Sequence, residues 1–207
     1  MNRRWLSGMA LMELLIVMGL GSGVLLALTS MVAGSMALNS RLLNSARLNE
    51  ELGNVFALIQ ADIRRAGYNG DSLYLMQNGP ANGVFSQHLV FDAYGAEQAN
   101  SCVTFRYDAN GNGLLDTLLP NEQFGYRMQN NTVEIRKAGA SCKAKGWEDV
   151  TDSDVVKVTA LEFRPVTQLL NGVPVTHVAI TLSGYLKANP ALSQTYHTTV
   201  LVKNHVG

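Results

Sequence analysis

An uncharged segment near the N-terminus constrains this chain more than any other feature of its sequence. No charged residue occurs from Leu14 to Ser40, and this length exceeds the roughly 20 apolar residues that an α-helix needs to cross a bilayer. The chain from Arg41 onward reads as a water-soluble protein. We therefore predict a membrane-anchored chain with one transmembrane part, at about residues 9–38.

The residues before this segment predict its orientation. Arg3 and Arg4 precede the apolar run, and basic residues favour the cytoplasmic side of a membrane. The bulk of the chain then lies in the periplasm. The apolar stretch is too long for an ordinary cleaved secretory signal, and no small-x-small site closes it. A plain signal-anchor is the simplest interpretation.

Glu13 does not fit a plain signal-anchor. It follows four residues of the apolar segment, and a carboxylate there costs several kcal/mol unless it is paired or lies near the interface. An ionisable residue at this depth is a candidate for function. The alternative is a glutamate that lies without a role among the lipid headgroups.

Gly8, Met9 and Glu13 together resemble the type III signal of type IV pilins and pseudopilins. In that family a basic leader ends in glycine, and the fifth residue after it is glutamate. Glu13 is the fifth residue counted from Met9, although Met9 stands where phenylalanine is usual. The resemblance implies a leader at residues 1–8, prepilin peptidase cleavage between Gly8 and Met9, N-methylation of Met9, and an assembly role for Glu13.

An amphipathic helical pattern follows the apolar segment. Arg41, Glu50 and Asp62 belong to its polar face. Its apolar residues recur mostly at spacings of three and four, as a helix packed on a core requires; they are Leu42, Leu43, Ala46, Leu48, Leu52, Val55, Phe56, Ile59 and Ile63. We predict one long helix over residues 9–66 that ends at Gly67, with its second half packed on the C-terminal domain.

The end of this helix narrows the family. The run Asp62-Ile63-Arg64-Arg65-Ala66-Gly67-Tyr68 resembles the corresponding segment of PilW-type minor pilins. The resemblance implies a low-abundance component that helps prime type IV pilus assembly and sits in the pilus, at its tip, supporting twitching motility and adhesion. It implies as partners the other minor pilins, the major pilin, the prepilin peptidase, the inner-membrane assembly platform and a tip adhesin. The protein would reside in the inner membrane and then in the pilus at the cell surface.

Residues 67–207 are predicted to form a β-rich pilin domain. Strand-like runs alternate with turn signals; the runs are Cys102–Tyr107, Phe124–Met128, Thr132–Arg136, Val155–Arg164, Thr176–Leu186 and Thr195–Val202. Gln129-Asn130-Asn131 and Asn189-Pro190 are predicted turns, and residues 71–98 are predicted to be mostly loop. The expected fold is α+β, a pilin-like long helix packed on an antiparallel sheet.

Cys102 and Cys142 both lie in the exported part of the chain, where disulfides persist. An even count in an oxidising compartment favours pairing, and we predict a Cys102–Cys142 disulfide. The alternative is two separate buried thiols.

The loop that starts at Asp108 suggests a calcium site. Oxygen-bearing side chains fall at positions one, three, five and nine, with glycine at six, as in the first half of an EF-hand loop. The predicted ligands are Asp108, Asn110, Asn112, the Leu114 carbonyl and Asp116. Position twelve is Leu119 rather than the usual bidentate glutamate. Glu122 could swing in, but its spacing is wrong. With only two or three carboxylates, the affinity for Ca²⁺ should be weak. The alternative is a metal-free turn rich in Asn and Gly.

No catalytic motif stands out in the sequence. It contains no G-x-S-x-G, phosphate loop or H-E-x-x-H, so we expect no enzyme. Sixteen basic and sixteen acidic residues give a net charge of zero, which argues against direct nucleic-acid binding. Two alternatives remain: a minor pseudopilin of a type II secretion system, and a membrane-anchored, calcium-dependent periplasmic binding module or enzyme.

Overall fold

A computed structural model of the chain describes residues 7–79, 83–86, 88–170 and 173–202. Its longest element is helix α1, Ser7–Arg65, and a short second helix, α2, spans Ser72–Asn78. The chain divides into two compact units, with the boundary between Ser45 and Ala46. Helix α1 therefore contributes to both units.

The first unit consists of the N-terminal part of helix α1. Every side chain from Leu11 to Leu43 is exposed in the single chain, including large apolar ones such as Leu26 and Met31. Within the described residues, α1 is the one helix long and apolar enough to cross a membrane. This matches the predicted single-pass anchor.

The second unit contains two antiparallel sheets. The first has five strands in sequential order, β1-β2-β3-β4-β5, and the second has three, β6-β7-β8. Their bounds are β1 Leu89–Asp92, β2 Cys102–Arg106, β3 Gln123–Gln129, β4 Thr132–Arg136, β5 Trp147–Asp149, β6 Val156–Leu170, β7 Val173–Leu186 and β8 Asn189–Val202. The predicted α+β, pilin-like architecture is confirmed, with two sheets instead of one.

The C-terminal part of helix α1 closes the core of this unit. Its apolar stripe recurs every three or four residues and is buried against both sheets; its members are Leu48, Leu52, Val55, Phe56, Ile59, Ile63 and Ala66. From the first sheet the core takes Phe105 and Tyr126, and from the second it takes Leu161 and Ile180. The stripe begins later than predicted, because Leu42, Leu43 and Ala46 are exposed.

The chain reversals follow local backbone chemistry. Asn130 and Asn131 have φ values of 51° and 64° and connect β3 to β4 as a two-residue hairpin, a conformation that asparagine tolerates. Gly67 has φ 80° just after helix α1, and its N–H donates to the Arg106 carbonyl at 2.8 Å. The predicted hairpin at Asn130 and the predicted helix stop at Gly67 are both confirmed.

The structure adds short elements and corrects one predicted turn. The segment from Asp71 to Gln98 is mostly irregular among its described residues, as predicted, and also contains helix α2 and strand β1. The turn between β7 and β8 lies at Lys187 and Ala188, and Pro190 is already in strand β8. Strand β5 was not predicted, because its three residues carry no alternating pattern of their own.

Candidate functional site

The N-terminal signal lies at the start of helix α1. Gly8 and Met9 fall in the first turn of the helix, and their side chains lie outside the described residues. Glu13 is exposed and lines a surface groove of about 490 Å³ together with Leu14, Val17 and Met18. Among the described residues, Glu13 has no ion-pair partner. Its carboxylate therefore lies beside apolar side chains, with no charge to compensate it among the described residues.

Near its other end, helix α1 is joined to the first sheet by a buried carboxylate. Asp62 is 7% exposed, although the sequence pattern places it on the polar face. Its Oδ2 accepts from the Tyr126 hydroxyl at 2.6 Å, and its Oδ1 accepts from the Tyr107 hydroxyl at 3.4 Å. The Arg65 guanidinium lies 3.9 Å away. Burying a carboxylate without such donors would cost several kcal/mol, so this cluster fixes the position of the helix end on the sheet.

The same cluster changes the acidity of both tyrosines. Burial, together with the negative charge of Asp62, raises the pKa of Tyr107 to about 12. Burial, Asp62 and Tyr107 also raise the pKa of Tyr126. The Tyr107 ring stacks on Phe124 with 3.9 Å between ring centroids. Sequence reasoning missed these roles, since the tyrosines lie 45 and 64 residues from Asp62.

The predicted disulfide is confirmed. Cys102 in strand β2 is bonded to Cys142 in the loop between β4 and β5, with a Cα–Cα distance of 6.0 Å. Arg127 supports the same loop by donating to the carbonyls of Cys142 and Ala144 at 2.7 and 3.0 Å. Its guanidinium also forms an ion pair with Glu134. The disulfide therefore ties an irregular loop to the outer face of the first sheet.

The predicted calcium loop is held together by backbone donors. Asp108 is 2% exposed, and its carboxylate accepts four backbone N–H groups; the donors are Gly70 (2.8 Å), Gly111 (2.6 Å), Asn112 (3.2 Å) and Gly113 (2.7 Å). Burial raises the pKa of Asp108, but these four hydrogen bonds outweigh it and hold that pKa below its ordinary value. Asp108 thus organises the loop through its backbone.

The remaining predicted ligands also lie together. The side-chain amides of Asn110 and Asn112 donate to Asp116 Oδ2 at 2.7 and 3.1 Å. Glu122 does turn toward this loop: it is fully buried, and its carboxylate accepts from the N–H groups of Ala109 (2.8 Å) and Asp116 (3.0 Å). Glu122 thus swings toward the loop, an alternative that the sequence left open although its spacing is wrong for the twelfth ligand position.

These hydrogen bonds explain how the loop keeps its shape, but they do not identify a ligand. Among the residues the structure describes, no three His, Cys, Asp or Glu side chains are grouped to hold a metal ion. The predicted set relies instead on two asparagines and the Leu114 carbonyl beside the carboxylates of Asp108 and Asp116. Calcium binding at this loop stays a prediction.

A long apolar N-terminal helix whose C-terminal part packs on antiparallel sheets is the architecture of a type IV pilin-related protein. Within that class, the family of prepilin peptidase-dependent protein B matches residues 41–202. The match spans well over half of the chain, and the chain therefore belongs to this family. No solved structure matches the chain.

Two curated proteins resemble the chain over much of its length. Prepilin peptidase-dependent protein B of Escherichia coli (strain K12) is 26% identical over 203 residues, covering 93% of this chain and 95% of that protein. An uncharacterized protein of Haemophilus influenzae is 25% identical over 194 residues, covering 75% of this chain and 78% of its own length. The family match begins at Arg41, so it does not rest on Gly8 or Glu13. The family match and the N-terminal signal therefore indicate the same protein class from separate parts of the chain.

Proposed function

We propose that this chain is a PilW-like minor pilin that helps prime type IV pilus assembly and is built into the pilus, at the tip. In this role it supports twitching motility and adhesion and has no enzyme activity. The chain would be inserted in the inner membrane with its N-terminus in the cytoplasm and its β-rich domain in the periplasm. It would later reach the cell surface with the pilus.

One observation carries most of this proposal. The side chains from Leu11 to Leu43 are apolar or uncharged apart from Glu13 and Arg41, and all of them are exposed in the single chain. An exposed apolar surface of this size is stable only in lipid or against other proteins. Glu13 adds a reason to leave lipid, because an unpaired carboxylate in a bilayer is costly. A helix that exchanges membrane for a bundle of subunits satisfies both requirements.

Processing at Gly8 supplies the partner for Glu13. The E. coli relative is named for its dependence on prepilin peptidase. In the present chain, Gly8 stands where this enzyme would cut. Cleavage gives Met9 a positive amino terminus, which stays positive when methylated. Opposite charges at about 4 Å in a weakly polar site attract by several kcal/mol, although desolvation offsets part of this. The Glu13 carboxylate would pair with that amino terminus, its own or a neighbour's.

The proposed partners follow from this role. They are the other minor pilins, the major pilin, the prepilin peptidase, the inner-membrane assembly platform and a tip adhesin. The Asp62-to-Tyr68 run supports a PilW-like role over that of a type II secretion pseudopilin. The end of the helix that carries this run is fixed on the sheet by the Asp62 contacts to Tyr107 and Tyr126.

A deletion strain tests the proposal. Loss of this chain should abolish surface pili and twitching and leave exoprotein secretion intact, and the wild-type sequence supplied in trans should restore both phenotypes. Sheared pili from the complemented strain should contain the processed chain. Normal piliation with failed secretion would instead identify a minor pseudopilin.

Calcium binding by the loop from Asp108 to Asp116 is proposed as a property of the same protein. The support is the order of oxygen-bearing residues along the loop and their closeness in the structure. A bound cation would strengthen a surface loop of a filament that works outside the cell.

A further inference from the structure

The outer face of the five-stranded sheet carries a cluster of basic side chains that the pilin role does not use. Strand β2 alternates between the core, where Val103 and Phe105 are fully buried, and the opposite face, which holds Thr104 and Arg106. The register pairs Thr104 with Gly125 of β3, and the Nε2 atom of His88, just before β1, lies 3.5 Å from Thr104 Oγ1. The same face therefore brings His88 and Arg106 together.

Arg136 reaches into this cluster from strand β4. A Cβ atom on Gly125 would lie 3.2 Å from Arg136 Cδ and 3.2 Å from Thr104 Cγ2. The missing side chain of Gly125 thus lets Arg136 lie across the sheet toward Thr104. Three carbonyls fix its guanidinium, those of Ala140 (2.6 Å), Gly139 (2.7 Å) and Phe124 (3.2 Å). These bonds use three of the five N–H donors of an arginine, and the side chain is held in place before any ligand arrives.

Arg106 lacks the compensation that Arg136 has. Its Nε atom is buried and has no hydrogen-bond partner, and among the described residues no carboxylate forms an ion pair with it. The two acids in the neighbouring row of this face are engaged elsewhere. Asp92 pairs with Lys143 at 3.5 Å, and Glu134 pairs with Arg127. A buried donor without an acceptor destabilises the folded chain, and an anion that reached this guanidinium would supply the missing acceptor.

Burial and two nearby guanidinium groups act on the imidazole of His88. Burial, with the charges of Arg106 and then Arg136, lowers the pKa of His88 to about 4. Burial and Arg106 likewise lower the pKa of Arg136 to about 10. Among the described residues, the groups that act on His88 are Thr104 and Arg106 from strand β2 and Arg136 from strand β4, and none of these three is acidic. At neutral pH the cluster holds two positive charges and an uncharged imidazole.

We propose that His88, Arg106 and Arg136 form a binding site for a phosphate group. A guanidinium fork donates two parallel hydrogen bonds to an oxyanion, and arginine is the preferred residue for phosphate. A phosphate monoester carries about −1.5 to −2 charges at neutral pH, which matches the two guanidinium groups, whereas a carboxylate would neutralise only one. The His88 ring and the Thr104 hydroxyl would lie at the edge of the bound group.

The proposal is tested on the full-length protein in nonionic detergent micelles. Inorganic phosphate is titrated calorimetrically at pH 7.5, with ionic strength held constant by chloride. We expect binding that Arg106→Gln weakens at least tenfold and that Arg106→Lys restores in part. The control is Arg64→Gln, because Arg64 is exposed on helix α1; it should leave the affinity unchanged. Absence of phosphate binding, or equal affinity of Arg106→Gln and the wild type, would overturn the site.

A second readout is taken on the wild-type protein. The pKa of the His88 imidazole is followed by NMR, with its resonance assigned by its loss in His88→Gln. Bound phosphate offsets the guanidinium charges and should raise this pKa, while chloride at equal ionic strength should not. An unchanged His88 pKa at saturating phosphate would contradict the proposal.

Two further ligands define the source of the phosphate. Glycerol 3-phosphate stands for the ester of a lipid headgroup, and tighter binding of this ester would assign the site to headgroups. Equal or tighter binding of inorganic phosphate would assign it to the free ion. Acetate that binds as tightly as phosphate would overturn the assignment to phosphate.

Discussion

Helix α1 carries leucines along its whole length, and their surroundings differ between its two parts. Leu25 and Leu26 are 65% and 71% exposed, whereas Leu52 is fully buried. The buried part covers the sheets of its own chain, and each buried leucine there contributes about 1.5–3 kcal/mol. The exposed part contributes nothing of this kind within the chain. Equal hydrophobicity thus serves folding at one end and contacts outside the chain at the other.

The two carboxylates of the helix repeat this contrast. Asp62 is buried and accepts hydrogen bonds from two tyrosine hydroxyls. Its carboxylate therefore gains its hydrogen-bond donors when the domain folds. Glu13 is exposed among apolar neighbours. In our account its carboxylate gains a charged partner only on assembly. Substitutions in the exposed part of the helix should therefore affect incorporation into pili, and those in the buried part should affect unfolding.

Glu13→Val should have the largest effect, which is loss of incorporation into pili. The span becomes more apolar, so insertion into the membrane and cleavage after Gly8 should continue. Docking should fail because the pairing with a Met9 amino terminus is gone. The measurement compares membrane level and sheared-pilus content in a deletion strain, and Glu50→Val, an exposed change on the same helix, is the control. Equal incorporation and full twitching at equal membrane levels would show that Glu13 is only an interfacial residue.

Ile59→Ala should destabilise the domain by about 2–5 kcal/mol, the usual cost of a large-to-small change in a core. Ile59 is fully buried against both sheets. The matched control is Leu26→Ala on the exposed part, which should leave unfolding unchanged. Urea unfolding of the full chain in micelles, followed by far-ultraviolet circular dichroism, measures both. An equal loss of unfolding free energy in the two variants would contradict the distinction between the exposed and the buried part of the helix.

Alkaline pH should weaken the attachment of the helix end to the sheet. The folded pKa of Tyr107, about 12, lies above the ordinary value of about 10, and the pKa of Tyr126 is also raised. Their contribution is therefore complete below about pH 10 and is lost as the pH rises toward 12 and beyond. The midpoint of urea unfolding between pH 8 and 11.5 measures this loss. Asp62→Ala should flatten the dependence, and an unchanged slope in that variant would contradict the assigned contacts.

Calcium should have the smallest effect on stability. At tenfold excess over its dissociation constant it would add about 1.4 kcal/mol to the folded state, seen as a higher melting temperature. Asp108→Ala is an ambiguous test, because Asp108 also holds four backbone N–H groups. Asp116→Asn is sharper, since it keeps the shape of the side chain and removes one charge. No calcium-dependent shift in the wild type up to millimolar levels would leave a metal-free turn.

Local patterns allowed much of the fold to be predicted. The three- and four-residue spacing of the helix stripe and the two asparagines of the β3–β4 turn are properties of neighbouring residues, and both predictions are confirmed. Strand β1 has only four residues and is fixed by pairing with β2. Strand β5 likewise depends on β4. Such strands are formed by pairing with a neighbouring strand, so the pattern of their own residues does not predict them.

The site residues divide in the same way. Gly8 and Glu13 are predicted from their spacing along the chain, and their roles stay predictions. Asp62 looked like a surface residue, because nothing near it in sequence shows that Tyr126 will meet it across the core. The spacing of Glu122 does not fit the pattern of the Asp108 loop, and only the fold brings its carboxylate to the backbone of that loop. Contacts of this kind come from the register of the strands rather than from local pattern.

The central claim is that the exposed part of helix α1 belongs to a processed pilin. Mass spectrometry of the N-terminus, on protein from a strain with active prepilin peptidase, tests it most directly. The account predicts a chain that starts at Met9 with a methylated amino group, and full-length precursor when Gly8 is replaced by a bulky residue. An unprocessed chain starting at Met1 in the wild type would contradict it.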